Sequence, residues 1–192
     1  SVTIHSALAK KAEAKEAVKS AAIIGEYTCL VRDLINTPPS HLTPDSFCKE
    51  IADLVKKVGG SAIGLKVTVM NDSQLKSKGY GGITAVGQGS ANPPRLLQIS
   101  YTPVKVKAKK NYAYVGKGIT FDSGGLALKP AAGMEDMKWD MGGAGAVAGV
   151  MKALAGRKAK AHVVGICGLV ENMPDGNAQR PGDVVRTMSG KT

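Results

Sequence analysis

Segments with the apolar spacing of a helix and segments with the spacing of a strand alternate along this chain, and this alternation most restricts the folds open to it. An apolar stripe of helical period covers residues 47–58, and a half-exposed strand pattern follows at 65–69. Later, an apolar helical segment at 143–155 lies between strand-like segments at 111–115 and 161–169. We therefore predict an α/β fold in which a mixed β-sheet is sandwiched between helices.

Local signals indicate where several helices begin and end. Thr43, Pro44 and Asp45 combine an N-cap, a first-turn proline and a carboxylate suited to the helix dipole, so a helix is predicted to start there. A longer helix is predicted over 6–35, and the break around Pro38 stops it. The remaining predicted elements are a short helix at 71–78 and strands at 83–86 and 96–101.

Composition indicates one globular unit without a membrane span. The chain has 192 residues, of which 43% are hydrophobic, and no apolar run approaches the length that crosses a bilayer. Its first residues lack the apolar core of a signal peptide. Three cysteines without a CxxC pair (Cys29, Cys48, Cys167) suit reduced thiols, so we expect a cytoplasmic protein. Because Ser1 is not an initiator methionine, we also expect a longer parent protein.

The net charge of +11 raises the question of a nucleic-acid partner. The lysines are spread along the chain except for two groups, and neither group is interleaved with aromatic residues that could stack on bases. A solvated basic surface is the favoured interpretation, and nucleic-acid binding stays open but disfavoured. The two groups are Lys10, Lys11 and Lys15 on the first helix and Lys105, Lys107, Lys109 and Lys110 on a connector.

A glycine-rich stretch over residues 114–143 carries the side chains best suited to chemistry. The apolar residues before Gly116 predict a short buried strand that ends at Gly116 and Gly118, which leaves Lys117 at its exit. Active sites of open α/β sheets collect at such exits. Asp122 and Asp140 lie in separate turns backed by glycine, and carboxylates are ligands for hard or borderline divalent cations. The stretch therefore predicts a metal site.

Lys117 and Lys129 are unusual beside a metal, because an ammonium group repels cations. A lysine that has lost its proton can donate its nitrogen as a ligand, whereas a protonated lysine can stabilise a developing oxyanion. From the residues alone, the two lysines are candidates for opposite roles.

Three other interpretations of this stretch were weighed. Asp122 to Gly125 taken alone is typical of a plain turn. The same residues are also found in the nucleophile loop of chymotrypsin-like proteases, but the α/β alternation and the arrangement of the three histidines argue against that class. Gly143, Gly145 and Gly149 loosely match a dinucleotide fingerprint without the preceding strand, so close helix packing is the better explanation.

Taken together, these residues resemble the metal-binding core of the leucyl (cytosol) aminopeptidase family. The matching segments are VGKGITFDSGGLALKP followed by MKWDMGG, with the family's spacing from Lys117 to Asp122, Lys129 and Asp140. The resemblance extends over about residues 24–192. Further matching blocks are Asn36–Pro39 with Leu42–Pro44, Val86–Ser90 with Pro94–Leu96, and Glu171–Pro174 with Arg180–Val184.

The resemblance implies a zinc-peptidase-like α/β/α fold, with residues 1–22 as a linker helix and 23–192 as the N-terminal part of a catalytic domain. It implies a metallo-aminopeptidase that releases N-terminal residues, preferably leucine-like, from peptides with two divalent metal ions. Zinc or manganese is expected, and magnesium or cobalt would also suit such sites. The family implies a homo-hexamer for the full-length protein.

The resemblance also implies roles for individual residues. Lys117, Asp122 and Asp140 would hold the metal that meets the substrate's amino group, and Asp122 would bridge to the second metal. Lys129 would be the catalytic residue that stays protonated and stabilises the oxyanion. Met137 matches a position that lines the specificity pocket, and all five residues are expected to contact substrate. Glu171 and Asp183 are interpreted as structural, because the family pattern assigns them no metal.

One segment of the family pattern is not found in this sequence. The family's Asn-Thr-Asp-Ala-Glu-Gly-Arg segment supplies two further acidic ligands and an arginine that holds a bicarbonate, and it would follow Thr192. We therefore expect a fold incomplete at its C-terminus and the remaining ligands beyond Thr192, where a second chain could carry them. The alternatives are a non-enzymatic DNA-binding or chaperone-like role, or an inactive fragment.

Overall fold

The computed structural model describes residues 3–105, 107 and 110–192, and its centre is one mixed sheet. In the described part, four strands lie in the order β1-β2-β4-β3. Lys109 of the predicted basic connector lies outside the described residues. The strands are β1 (Leu65–Met70), β2 (Arg95–Tyr101), β3 (Asn111–Asp122) and β4 (His162–Asn172).

The helices confirm the predicted α/β class. Two 3₁₀ turns, Gly60–Ile63 and Met134–Trp139, complete the regular structure of the described residues. None of the helices described is both long and apolar enough to span a bilayer. The helices are α1 (Ala12–Asn36), α2 (Pro44–Lys57), α3 (Asp72–Ser77), α4 (Gly81–Gly87) and α5 (Gly142–Gly156).

Strand pairing makes the sheet mixed, as predicted. β2 runs antiparallel to both of its neighbours, with Leu65 of β1 opposite Tyr101. β3 and β4 are parallel, and α5 lies between them in the chain, because parallel neighbours need a crossover connection. In this register Asp122 lies opposite Asn172 at the ends of the two strands.

The main core lies between one face of the sheet and the helices α2 and α5. Alternate residues of β4, including Val163 and Cys167, are buried in the same cluster as Phe47 of α2 and Met151 of α5. The opposite face of β4 meets α4, since a side chain at Gly168 would contact Ile83. Helices therefore cover both faces of the sheet, and the ends of the strands are left as the place where a site can form.

The start of α2 agrees with the sequence signals. The amide of Ser46 donates to Thr43 Oγ1 at 3.3 Å, and the amide of Thr43 donates back to Ser46 Oγ at 2.8 Å. Pro44 occupies the first turn, where its missing N–H costs nothing. The predicted apolar stripe is buried at Phe47 and Ile51, so the predicted helix start and its buried face are both confirmed.

The glycines of α5 allow close packing against α1, as predicted. A Cβ atom at Gly149 would lie 2.5 Å from Val31 Cγ2, and one at Gly145 would lie 3.7 Å from Val31 Cγ1. The small residues thus bring the two helices together, and this packing explains the glycines without a bound dinucleotide.

One predicted helix was wrong in its extent, and one predicted strand was wrong in its type. The helix predicted over 6–35 begins at Ala12, so only part of the predicted 1–22 linker is helical in the described residues, and α1 continues through to Asn36. The segment 83–86, predicted as a strand, lies within α4. Such a short, mainly apolar segment fits either structure, and its packing as a short helix against β4 decides between them.

The strand predicted at 111–115 is confirmed, but its predicted short length and burial were wrong. β3 is 12 residues long and forms an edge of the sheet, and its first half is exposed, with Val115 78% accessible. Gly116 and Gly118 do not end the strand, because they lie inside it where α5 approaches closely. A Cβ at Gly116 would lie 2.5 Å from the carbonyl oxygen of Gly143. Lys117 is therefore within β3, and Asp122 is at the strand's end.

Candidate metal centre

β3 and the turn before α5 bring the predicted site residues together. Lys117 lies within β3, and Asp140 follows the 3₁₀ turn Met134–Trp139 that packs beside this strand. The Lys117 Nζ atom is 2.8 Å from Asp140 Oδ1. Two residues separated by more than 20 positions in sequence thus form an ion pair at the glycine-rich contact between β3 and α5.

Asp122 has a hydrogen-bond partner on each carboxylate oxygen. Its Oδ2 accepts from Lys129 Nζ at 2.7 Å. Its Oδ1 accepts from Asn172 Nδ2 at 2.7 Å and from the Gly124 amide at 3.0 Å. These contacts fix the orientation of the carboxylate at the end of β3.

The same contacts favour the ionised form of Asp122. Burial by itself raises the pKa of this carboxyl, but the hydrogen bonds from Lys129, the Gly124 amide and Asn172 outweigh burial, and the pKa is lowered overall. Asp122 is therefore charged at neutral pH, which is the form that binds a cation.

The turn after Asp122 depends on backbone conformations that favour glycine. Gly124 and Gly125 have φ angles of +91° and +69°. The Ser123 amide donates to the Asn172 carbonyl at 3.0 Å, and Ser123 Oγ donates to it at 2.7 Å. The turn is thereby attached to the end of β4.

Asp140 differs from Asp122 because one of its oxygens has no partner. Oδ1 pairs with Lys117, whereas Oδ2 is buried and accepts no hydrogen bond from the described residues. A buried, unpartnered carboxylate oxygen is costly unless an ion or water satisfies it. This oxygen is the structural observation that best fits a bound cation.

Met137 and Lys129 complete the cluster. Lys129 Nζ lies 2.9 Å from Met137 Sδ as well as 2.7 Å from Asp122. Met137 and Asp140 both lie in the segment before α5. The contacts of Lys117 with Asp140 and of Lys129 with Met137 therefore join β3 and the turn after it to that segment. The five residues predicted for the site thus form two groups of contacts, Lys117 with Asp140 and Lys129 with Asp122 and Met137.

The donor set fits part of a divalent metal site. Asp122 and Asp140 offer carboxylate oxygens, and Lys117 offers an amine if it loses its proton. An ammonium group and a metal ion compete for Asp140, so the ion pair must open for Lys117 to become a ligand. Over residues 3–105, 107 and 110–192, no group of three or more His, Cys, Asp or Glu side chains is arranged to hold a metal.

Glu171 and Asp183 have structural partners, as predicted. Glu171 accepts hydrogen bonds from Ser90 Oγ and from Asn92 Nδ2. Asp183 pairs with Arg180, whose Nη2 lies 3.2 Å from the carboxylate. These contacts account for both carboxylates without a metal.

A cavity of about 310 Å³ adjoins the Asp122 turn. Gly124, Gly125 and Asn172 form one side, and Arg180 and Asp183 form part of the other. In the sequence, Asn172 belongs only to a block that matches the family and has no predicted role. The signal that identifies it is its position at the end of β4, directly beside Asp122 in the parallel pair.

Comparison with known sequences identifies the family. A family model described as the catalytic domain of the cytosol aminopeptidase family matches residues 29–192. A probable cytosol aminopeptidase of Brucella anthropi is 50% identical over 179 residues, which are 93% of this chain and 34% of that protein. One of Agrobacterium fabrum is 50% identical over 191 residues, 100% of this chain and 37% of that protein. The chain thus spans about a third of these relatives.

Solved structures agree in fold. The bottromycin maturation enzyme BotP in complex with Mn matches with a TM-score of 0.83 and 39% identity, over 97% of this chain and 41% of that one. Leucyl aminopeptidase from Trypanosoma brucei in complex with actinonin has a TM-score of 0.83 and 35% identity, over 90% of this chain and 32% of that one. With its clustered lysines and aspartates and its match over residues 29–192, this chain belongs to the cytosol aminopeptidase family.

Proposed function

We propose that this chain forms part of a metal-dependent aminopeptidase that releases N-terminal residues from peptides. The observation that carries the proposal is the pair of contacts Lys117–Asp140 and Lys129–Asp122, with a buried, unpartnered oxygen on Asp140. The names of the relatives support the activity. Family membership and this site geometry favour hydrolysis over a DNA-binding or chaperone-like role.

Lys117, Asp122 and Asp140 are proposed to hold the metal that meets the substrate's amino group, and Asp122 to bridge to a second one. Two divalent ions, when bound, would supply hydroxide from water and polarise the scissile carbonyl. The network around Asp122 supports its role, because it keeps the carboxylate ionised and fixed in direction.

Lys129 is proposed to stay protonated and to donate to the oxyanion of the tetrahedral intermediate. Its ammonium already lies between a carboxylate and a thioether, at 2.7 Å from Asp122 and 2.9 Å from Met137. This position supports a cationic role, because a lysine beside a carboxylate is placed to form an ion pair. Met137 is proposed to contact the side chain of a leucine-like first residue.

Manganese or zinc is the proposed metal, with magnesium or cobalt as further candidates, and the manganese complex of BotP supports the first choice. Further acidic ligands and a bicarbonate-binding arginine are proposed to come from residues outside this sequence. The small number of acidic ligands at the site supports this proposal. A homo-hexamer, a second chain that carries the missing ligands and a cytoplasmic location remain parts of the proposal, and the relatives' name supports the last.

The proposal is tested by hydrolysis of leucyl-p-nitroanilide in the protein that carries this chain, with manganese or zinc and with a chelator. We expect chelator-sensitive turnover that Lys117→Ala and Asp140→Ala each reduce to background. The matched control is Lys76→Ala, which removes a lysine–aspartate pair of the same 2.8 Å length within α3, among residues not predicted for the site. Full turnover in either site variant would contradict the assignment.

A further inference from the structure

We propose that Asn172 is a positioning residue that holds the Asp122 carboxylate in the orientation needed to bind a metal. This inference rests on the proposed function, because it concerns the same metal centre. The end of β4 thereby takes part in the site. Neither the sequence position nor the residue type of Asn172 indicates this role.

The side-chain contact is short and its direction is determined by chemistry. Asn172 Nδ2 lies 2.7 Å from Asp122 Oδ1. An ionised carboxylate can only accept hydrogen bonds, so the amide must turn its nitrogen towards it. The Gly124 amide donates to the same oxygen at 3.0 Å. Two neutral donors therefore set the direction of Oδ1.

The backbone of the same residue holds the turn that follows Asp122. The Asn172 carbonyl accepts from both the amide and the hydroxyl of Ser123, at 3.0 and 2.7 Å. Asp122 and Asn172 are also direct neighbours in the parallel β3–β4 register. One residue thus fixes the carboxylate and the backbone on its C-terminal side.

Two surrounding features keep Asn172 in place. A Cβ atom at Gly125 would lie 2.8 Å from Asn172 Oδ1, so the glycine makes the room that the amide occupies. The preceding residue, Glu171, accepts hydrogen bonds from Ser90 and Asn92 and thereby anchors the end of β4. A side chain held in this way loses little further freedom when the site binds a ligand.

The charge of each partner distinguishes Asn172 from Lys129. The Lys129 ammonium occupies Asp122 Oδ2 and competes there with any cation. The Asn172 amide is neutral, so it can keep the carboxylate oriented after a cation has displaced the lysine. Partners that orient metal ligands typically change metal affinity by about 10- to 100-fold when they are removed.

The test is the dissociation constant for Mn²⁺, measured by the electron paramagnetic resonance signal of free Mn²⁺ in the protein that carries this chain. We expect Asn172→Ala to raise the dissociation constant about 10- to 100-fold. Asn172→Leu keeps more of the side-chain volume and the backbone carbonyl but has no donor, so we expect the same loss from it. This second variant covers the case in which the alanine variant does not fold.

Asn177→Ala is the matched control, because it removes an exposed amide that donates to the Asp175 carboxylate at 3.1 Å and leaves both Asp122 and the contacts of Asn172 untouched. We expect its dissociation constant to equal that of the wild type. An equal loss in the Asn177 and Asn172 variants, or no loss in the latter, would overturn the positioning role.

Asp122→Ala separates this inference from the proposed function. If that variant loses Mn²⁺ while Asn172→Ala and Asn172→Leu bind as the wild type does, the positioning role is overturned and the metal centre stands. If the wild type binds no Mn²⁺, the same comparison is made by calorimetry with Zn²⁺, Mg²⁺ and Co²⁺, and a wild type that binds none of these ions overturns both the proposed function and this inference.

Discussion

Asp122 and Asp140 have similar lysine partners but different surroundings. Each makes an ion pair of 2.7 to 2.8 Å, yet Asp122 has a donor on each oxygen and Asp140 has one oxygen that is buried without a partner. The Lys117 side chain is 60% exposed, whereas that of Lys129 is 35% exposed. Lys117 is therefore the lysine better placed to lose its ion pair when a cation binds.

The lowered pKa of Asp122 leads to a prediction about acid stability. Its folded pKa lies below its unfolded value, because hydrogen bonds from Lys129, Gly124 and Asn172 outweigh the burial that raises it. The ionised carboxylate therefore stabilises the folded state above the unfolded pKa of about 4, and this contribution is lost as pH falls through the folded pKa.

Urea denaturation of the metal-free protein at several pH values checks this prediction. We expect Asp122→Asn to lower the free energy of unfolding at neutral pH, and the difference from the wild type to shrink below pH of about 4. Asp53→Asn is the control, since Asp53 has an exposed side chain on α2. If the difference in free energy of unfolding stays constant down to the lowest pH, the ionisation of Asp122 does not contribute to stability.

At the scale of elements, the contact between β3 and the start of α5 determines where the metal ligands lie. Gly116 faces Gly143 and Ala144 at distances that leave no room for a side chain, and a Cβ at Gly118 would lie 3.1 Å from Ala144 Cβ. This close approach places Lys117 of β3 beside Asp140, which lies two residues before α5. The glycines are therefore part of the site's geometry although they carry no chemistry.

Gly116→Ala tests the close contact between β3 and α5. Its Cβ would lie 2.5 Å from the Gly143 carbonyl oxygen and 2.8 Å from Ala144 Cα, and backbone atoms cannot move aside as a flexible side chain can. We expect a loss of about 1–3 kcal/mol in the free energy of unfolding. Thermal or urea denaturation gives this value.

Gly25→Ala is the matched control in α1, where nothing lies within 4 Å of the added Cβ. Because alanine favours a helix over glycine, this variant should be more stable by up to about 1 kcal/mol. Equal stability of the wild type and the Gly116 variant would refute the packing argument.

At the scale of the whole molecule, the sheet has a long exposed edge. β3 pairs with β4 on one side, and its outer side pairs with no strand among residues 3–105, 107 and 110–192. Tyr112, Tyr114 and Val115 are 45%, 41% and 78% exposed along this strand. An apolar, unpaired edge is a template for association with another chain. The net charge of +11 opposes association at low salt.

We expect the 192-residue chain purified by itself to associate increasingly as salt screens its charge. Val115→Lys should reduce this association, because lysine on an edge strand disfavours strand pairing. Val184→Lys is the control, since Val184 is 79% exposed and lies outside the strands. Light scattering across a salt series measures the effect, and an equal reduction by both variants would point to charge alone.

Sequence patterns predicted the structure correctly where the determining interactions are local. The start of α2 follows from Thr43 and Pro44, whose partners lie within a few residues. The pattern from Lys117 to Asp140 predicts the candidate site residues, because their chemistry and spacing are visible in the chain itself. The exposed edge and the continuation of β3 through Gly116 could not be predicted in this way, because they depend on which strand lies next to it and on how closely α5 approaches.

By itself, the sequence determined the α/β class, the residues of the candidate metal site and membership of an aminopeptidase family. Only the tertiary structure decided that Asn172 contacts Asp122, which is 50 positions away, and that Asp140 keeps a buried oxygen without a partner. The physical reason is the range of the interactions. Caps, turns and residue spacing act over a few residues, whereas strand register and burial arise only when distant segments pack together.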